Sequence, residues 1–265
     1  SYICNTSNKS LMKIKCLGLL LLFIFQSCKT KEEIYYMQDV DAYNNKEVKF
    51  ASPTLQANDI LKISVGALVP ETAIPYNKIG AGSMQTNSLE IMKIDGYLVS
   101  LEQTISFPIL GEISVVNKTT SQLEKELVRR LESGGHLVNP SVSVRLLNAK
   151  VTILGEVNAP GTYTFTESNI NLLQALGLAG DLTINGERED VVLIREVDGV
   201  RTVAHFNLTQ SDWLNSPYYL INPNDVIMVN PNGSKVKSAG YIGNVGTLIG
   251  VISILLSTVV LITAL

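Results

Sequence analysis

A two-residue turn occurs twice in this chain, and each time a run of alternating residues follows it. The first lies in Leu55-Gln-Ala-Asn-Asp-Ile-Leu-Lys-Ile-Ser-Val65, the second in Leu220-Ile-Asn-Pro-Asn-Asp-Val-Ile-Met-Val229. Asn tolerates the left-handed backbone that such turns require, and Pro223 holds φ in place just before the second one. Behind Asn58-Asp59, residues Leu61, Ile63 and Val65 alternate with Ile60, Lys62 and Ser64; behind Asn224-Asp225, Val226 and Met228 alternate with Ile227 and Val229. A period of two predicts half-buried strands. The Asp residues are expected to serve the turns rather than catalysis. A second phrase also recurs, Ile109-Leu-Gly-Glu-Ile113 and Ile153-Leu-Gly-Glu-Val157. The separations of the two pairs differ, which points to related β-rich units rather than to a tandem solenoid.

More strands are predicted at Ser141–Leu147, Lys150–Val157, Asp190–Val197 and Val200–Phe206, the last two joined by the hairpin signal Asp198-Gly199. Pro160-Gly161 marks a further turn before Thr162-Tyr163-Thr164-Phe165. Two helices interrupt them. Thr119 or Thr120 can cap the first, whose Leu123, Leu127 and Leu131 recur every four residues until Gly134-Gly135. The second is expected from about Ser168 to Ala179, with Ile170, Leu172, Leu173 and Leu176 as its apolar stripe and Gly180-Asp181 as its stop. The pattern is α+β: two small β-rich domains, each with one packing helix.

The two ends carry membrane signals. Met12 to Lys15 is followed by an apolar run from Cys16 to Phe25 and then by Gln26-Ser27-Cys28. A basic start, an apolar stretch of about 7–15 residues and a small residue at the cut form a secretory signal. Residues 1–27 are therefore read as a signal region starting at Met12, and Cys28, directly after Ser27, as the acylated cysteine of a lipoprotein. Of Cys4, Cys16 and Cys28, only Cys28 would remain after cleavage. Acylation accounts for that lone sulfur in an exported chain. At the other end no charge occurs from Gly240 to Leu265. An apolar helix of this length approaches the bilayer hydrocarbon thickness of about 30 Å, so residues 241–265 are expected to form a transmembrane helix.

Cleavage at Cys28 removes Lys9, Lys13 and Lys15 from 21 basic and 24 acidic side chains, leaving a net charge of −6. With no basic stripe, nucleic acid is not an expected partner. Only His136 and His205 are present, far apart and outside any metal-ligand spacing, so no metal, cofactor or catalytic residue is predicted. Gly80-Ala-Gly82 is a lone Gly-x-Gly, read as a loop. Glu112 and Glu156 could suggest the paired carboxylates of glycoside cleavage, but their shared context after a turn glycine favours strand-end roles.

The phrases above resemble the outer-membrane polysaccharide export family. Residues 54–148 look like its polysaccharide export domain, through the Asn-Asp turn, Phe107-Pro-Ile-Leu-Gly-Glu-Ile113, the helix at 119–131 and Asn139-Pro-Ser-Val-Ser-Val144. Residues 149–231 look like its soluble-ligand-binding β-grasp domain, through Val151-Thr-Ile-Leu-Gly-Glu-Val-Asn-Ala-Pro-Gly-Thr-Tyr163 and Leu172-Leu-Gln-Ala-Leu-Gly-Leu-Ala-Gly-Asp181. Residues 28–53 and 232–240 would then be linkers. Where the family usually has Pro-Gly-Asp at the first turn this chain has Ala57-Asn58-Asp59, and Glu102-Gln103 replaces an Asp-Gly hairpin; both replacements can still turn.

The resemblance implies a non-enzymatic subunit of an oligomeric outer-membrane channel that exports capsular or extracellular polysaccharide. Implied partners are the transported polysaccharide, outer-membrane lipid, identical copies in a ring commonly of about eight subunits, and an inner-membrane co-polymerase. In the family the terminal helix is amphipathic and lines the channel. Here Asn244, Thr247, Ser253, Ser257, Thr258 and Thr263 are its sparse polar groups, so pore lining and simple anchoring both stay open. Rival readings are a monomeric, periplasm-facing glycan-binding lipoprotein and an inner-membrane assembly factor.

Overall fold

The computed structural model describes residues 32, 34–43, 52–78, 89–239 and 245–264. The signal region 1–27, Cys28, the Gly80–Gly82 loop and residues 241–244 lie outside the described residues.

The first unit begins with strand β1 (Ile60–Gly66), whose Leu61, Ile63 and Val65 point inward as the alternation predicts. Helices α1 (Pro70–Ala73) and α2 (Leu89–Ile94) follow, then β2 (Tyr97–Leu98) and the hairpin of β3 (Thr104–Phe107) and β4 (Gly111–Ser114). Helix α3 spans Thr120–Ser133 and β5 spans Ser141–Leu146. Strands β2, β1 and β5 form one sheet in that order, all antiparallel, so β5 is an edge strand. Leu123, Leu127 and Leu131 of α3 are wholly buried together with Ile105, Phe107 and Ile113 of the hairpin. At about 25 cal/mol per Å² of apolar surface removed from water, each such side chain contributes roughly 1.5–3 kcal/mol.

Three residues, Leu147 to Ala149, lead into a second hydrophobic cluster. It is built on β6 (Lys150–Gly155), β7 (Gly161–Thr164), β8 (Ile170–Asn171), helix α4 (Leu172–Leu178), β9 (Gly186–Val197), β10 (Val200–Phe206), β11 (Leu220–Ile221) and β12 (Val226–Pro231). Five strands pair in the order β10-β9-β12-β6-β7, with β12 parallel to β6 and every other neighbour antiparallel. Helix α4 covers one face through Leu172, Ala175 and Leu176.

The second helix differs from the expectation. It starts at Leu172, because Ile170 and Asn171 pair with Leu220 and Ile221 as a short ladder and Asn171 then caps the helix. With the helix so placed, Ala175 joins Leu172 and Leu176 inside while Leu173 faces outward. The sheet pairing outweighs helix propensity there.

After α5 (Gly233–Ala239) the chain ends in α6, Val245–Ala264. The transmembrane helix expected over 241–265 is corrected: among the described residues no helix is long and apolar enough to cross a membrane. The described side chains of α6 include the run from Leu248 to Thr258. Those side chains are all exposed and mostly apolar.

Candidate functional site

The two Asn-Asp turns are one geometry built twice. Asn58 and Asn224 have φ of 69° and 68°. In each turn the Asp carboxylate accepts a hydrogen bond from the backbone N–H three residues earlier, Gln56 N to Asp59 Oδ2 and Asn222 N to Asp225 Oδ2, both 2.8 Å. Each Asp N–H returns a bond to the carbonyl of that same residue. Both carboxylates are almost fully buried.

Their surroundings diverge. Asp225 receives Arg195, whose Nε and Nη2 both bond its carboxylate, at 3.0 and 2.7 Å. Burial pushes the Asp225 carboxyl up, and the Arg195 guanidinium pulls against it. Asp59 has only the Gln56 N–H to oppose its burial, which pushes its pKa up from 3.8 to about 6.

The repeated Ile-Leu-Gly-Glu phrases, by contrast, are not equivalent. Ile109 sits exposed at the β3–β4 hairpin tip with φ of 65°, a left-handed conformation costly for a β-branched residue, and Gly111 at φ of 75° opens β4. Ile153 is buried within β6, and Gly155 at φ of 91° closes that strand, where a Cβ would lie 1.9 Å from the Val229 carbonyl oxygen. Glu112 stands in β4 of the first unit; Glu156 follows β6 and accepts from Thr183 Oγ1 at 2.9 Å. The two glutamates thus stand in separate units.

A cleft of about 410 Å³ lies between the two units. Its first wall comes from the Asp59 turn, the first turns of α3 (Thr120, Ser121, Glu124) and the edge strand β5 (Ser143, Arg145). Its second wall comes from Phe165 to Ser168, the end of β9 at Glu196 and the Asn222–Asn224 turn. Two hydrogen bonds tie the walls beside it: the Asp198 N–H donates to Gln56 Oε1 at 3.0 Å, and Gln103 Nε2 donates to Asp198 Oδ1 at 2.9 Å. Glu124 Oε1 accepts the Val144 N–H of the strand edge at 2.8 Å.

A second feature escaped sequence reasoning. The segment Tyr35–Tyr43, inside the expected linker 28–53, is strapped onto the second unit. Met37 N donates to Leu208 O and Gln38 N to Thr209 O. Tyr36 Oη donates to Asp181 Oδ1 at 2.6 Å, and the Arg188 guanidinium lies 5.3 Å from the Tyr36 ring centre. Burial, with the Asp181 bond, raises the Tyr36 phenol well above its ordinary range. The only sequence signal was the pair Tyr35-Tyr36 in a polar stretch, which offers apolar area without naming its partner.

The two histidines lie in separate units with different neighbours. His136 meets Tyr76 edge-on at 5.8 Å, and His205 Nδ1 lies 2.6 Å from Asp190 on an exposed strand. Among the described residues no cluster of His, Cys, Asp and Glu could hold a metal ion.

Comparison with known proteins adds a family. Residues 50–147 match the family model described as polysaccharide biosynthesis/export protein, and residues 150–203 match the SLBB domain, together more than half of the chain. The capsule polysaccharide export outer membrane protein CtrA of Neisseria meningitidis is 29% identical over 192 residues, 72% of this chain and 47% of CtrA. The EPS I polysaccharide export outer membrane protein EpsA of Ralstonia solanacearum is 26% identical over 211 residues, 77% of this chain and 54% of EpsA. The exopolysaccharide production protein ExoF of Rhizobium meliloti is 33% identical over 96 residues, 35% of this chain and 23% of ExoF. The chain thus spans about half the length of CtrA and EpsA. It therefore carries, one after the other, a domain of the polysaccharide biosynthesis/export protein family, a family of export proteins rather than enzymes, and an SLBB domain.

Proposed function

We propose that this chain is a subunit of an oligomeric outer-membrane conduit for capsular or extracellular polysaccharide. The observation that carries the reading is the order of the two domain matches, export domain then SLBB domain, in a chain aligned over 72% and 77% of its length with relatives named as outer-membrane export proteins. The body sits in the periplasm, held to the outer membrane by a lipid on Cys28. Residues 54–148 and 149–231 act as its two working units.

The geometry suits a conduit. A long hydrated polymer must be held weakly to keep moving, which calls for polar walls and no reacting centre. The exposed apolar side chains of α6, among them Leu248, Ile249, Ile254 and Leu255, offer a surface that acyl chains cover better than water does. Identical copies close into a ring, and an inner-membrane co-polymerase delivers the chain to it.

Native mass spectrometry of the detergent-extracted protein tests the assembly, and membrane fractionation of Cys28→Ala tests the anchor. The expected results are a closed oligomer of about eight copies and loss of the variant from the outer-membrane fraction. A monomer in several mild detergents would favour the glycan-binding lipoprotein instead. Normal outer-membrane recovery of Cys28→Ala would remove the anchoring role of that residue.

A further inference from the structure

We propose that the cleft between the two units binds a short, uncharged, hydroxyl-rich saccharide segment; the proposal rests on the export reading and locates where on this chain the polymer is held.

The cleft has the size of a ligand site, since 410 Å³ falls within the usual range of about 300–1,000 Å³. Its lining mixes both hydrogen-bonding senses at close quarters. The Ser121, Ser143 and Ser168 hydroxyls donate and accept, Arg145 only donates, and the Glu167 and Glu196 carboxylates only accept. A sugar hydroxyl also donates one hydrogen bond and accepts others, so a polyol can satisfy both kinds of wall group at once. Carboxylates outnumber cations on the walls, Glu124, Glu167 and Glu196 against Arg145, so a uronic or sialic acid would meet net negative charge, and a cationic sugar would still oppose Arg145. Like charges at such separations cost more in a cleft than in open water. The neutral polyol is the ligand that leaves no wall group opposed.

The walls are also held in place before any ligand arrives. The bonds from Asp198 to Gln56 and from Gln103 to Asp198 fix one side, and Asn148 fixes the other by accepting the Ile60 N–H and donating to the Asn58 carbonyl, both at 2.9 Å. Glu124 takes the Val144 N–H, so this part of the β5 edge is closed to a pairing peptide strand while the neighbouring Ser143 and Arg145 side chains stay exposed. A fixed cleft loses little freedom on binding, which suits repeated weak capture.

The test is saturation-transfer NMR with titration calorimetry on the full chain in a sugar-free detergent such as dodecylphosphocholine. The uncharged probes are maltotetraose, cellotetraose and chitotetraose, and trigalacturonate is the acidic one. At least one neutral probe should bind, trigalacturonate should bind about tenfold more weakly, and Ser143→Trp should weaken the neutral probe about tenfold by filling the cleft. Ser121→Trp, on the exposed first turn of α3, provides the same block from another element should Ser143→Trp fail to fold. No binding of any neutral probe, binding unchanged in the blocked variant, or equal binding of trigalacturonate would each overturn the proposal. Restoration of surface polysaccharide by the wild-type chain in a deletion strain reads the export function separately. Export without cleft binding sinks the site alone, and failure to restore export sinks the conduit.

Discussion

Asp59 and Asp225 close the same turn, yet only Asp225 has a cation beside it. The consequence at Asp59 is a pH-dependent contribution to stability. Its folded pKa of about 6 lies above the ordinary 3.8, so the folded state keeps a proton that the unfolded chain has released. The favourable contribution is fully present below about pH 4 and is lost as pH rises through about 6. Asp59→Asn keeps an oxygen to accept the Gln56 N–H and cannot ionise. We expect the variant to lose less stability than the wild type between pH 4 and pH 7, measured by urea unfolding in detergent at both values. Equal losses would show that Asp59 does not titrate in this window. The turn itself was legible from Asn-Asp followed by alternation, because its hydrogen bonds are local. The unequal electrostatics were not legible, because Arg195 lies thirty positions from Asp225 in sequence and meets it only through pairing of β9 with β12.

At the scale of the elements, both packing helices start with the same device. Thr119 Oγ1 accepts the Gln122 N–H and Gln122 Oε1 accepts the Thr119 N–H; Asn171 and Gln174 repeat the arrangement on α4. Each box satisfies two backbone donors that the helix itself cannot. Thr119→Ala should cost about 1 kcal/mol of stability, and Thr119→Ser nearly nothing, by the same unfolding measurement. A loss for Ser as large as for Ala would place the effect in the threonine methyl rather than the cap. Helix α3 was readable from end to end, since its cap, its four-residue leucine spacing and its glycine stop all lie within its own sequence. Helix α4 was not. Its first expected turn went to the β8–β11 ladder, whose partner strand lies some fifty residues further on. The β3–β4 hairpin shows the same limit, because Ile109 adopts a left-handed conformation that its side chain disfavours and the surrounding pairing imposes.

For the whole molecule, the strap at residues 35–43 decides where the N-terminal end leaves the body. The Tyr36 hydroxyl on Asp181, the Arg188 guanidinium over its ring and two backbone bonds hold it to the second unit rather than the first. On the proposed anchoring at Cys28, eight residues before Tyr36, a lipid there would keep the second unit within about 28 Å of the membrane surface at roughly 3.5 Å per extended residue. Tyr36→Ala should release the strap. Proteolysis of the full chain should then cut between residues 29 and 43 at least several-fold faster, while the body remains intact. An unchanged cleavage rate would show that the backbone bonds alone hold the segment.

The sequence by itself determined the strands that alternate, the two Asn-Asp turns, the leucine face of α3 and the phrases that mark the family, because each depends on residues within a few positions of one another. Only the tertiary structure decided the rest. It paired β12 parallel with β6, gave Asp225 its arginine and left Asp59 without one, laid the strap across Asp181 and Arg188, and brought hydroxyls, carboxylates and a guanidinium from both units around one cleft. These are contacts between segments far apart in sequence. Their energies come from burial and charge at close range, and no local pattern in the chain records which distant partner will supply them.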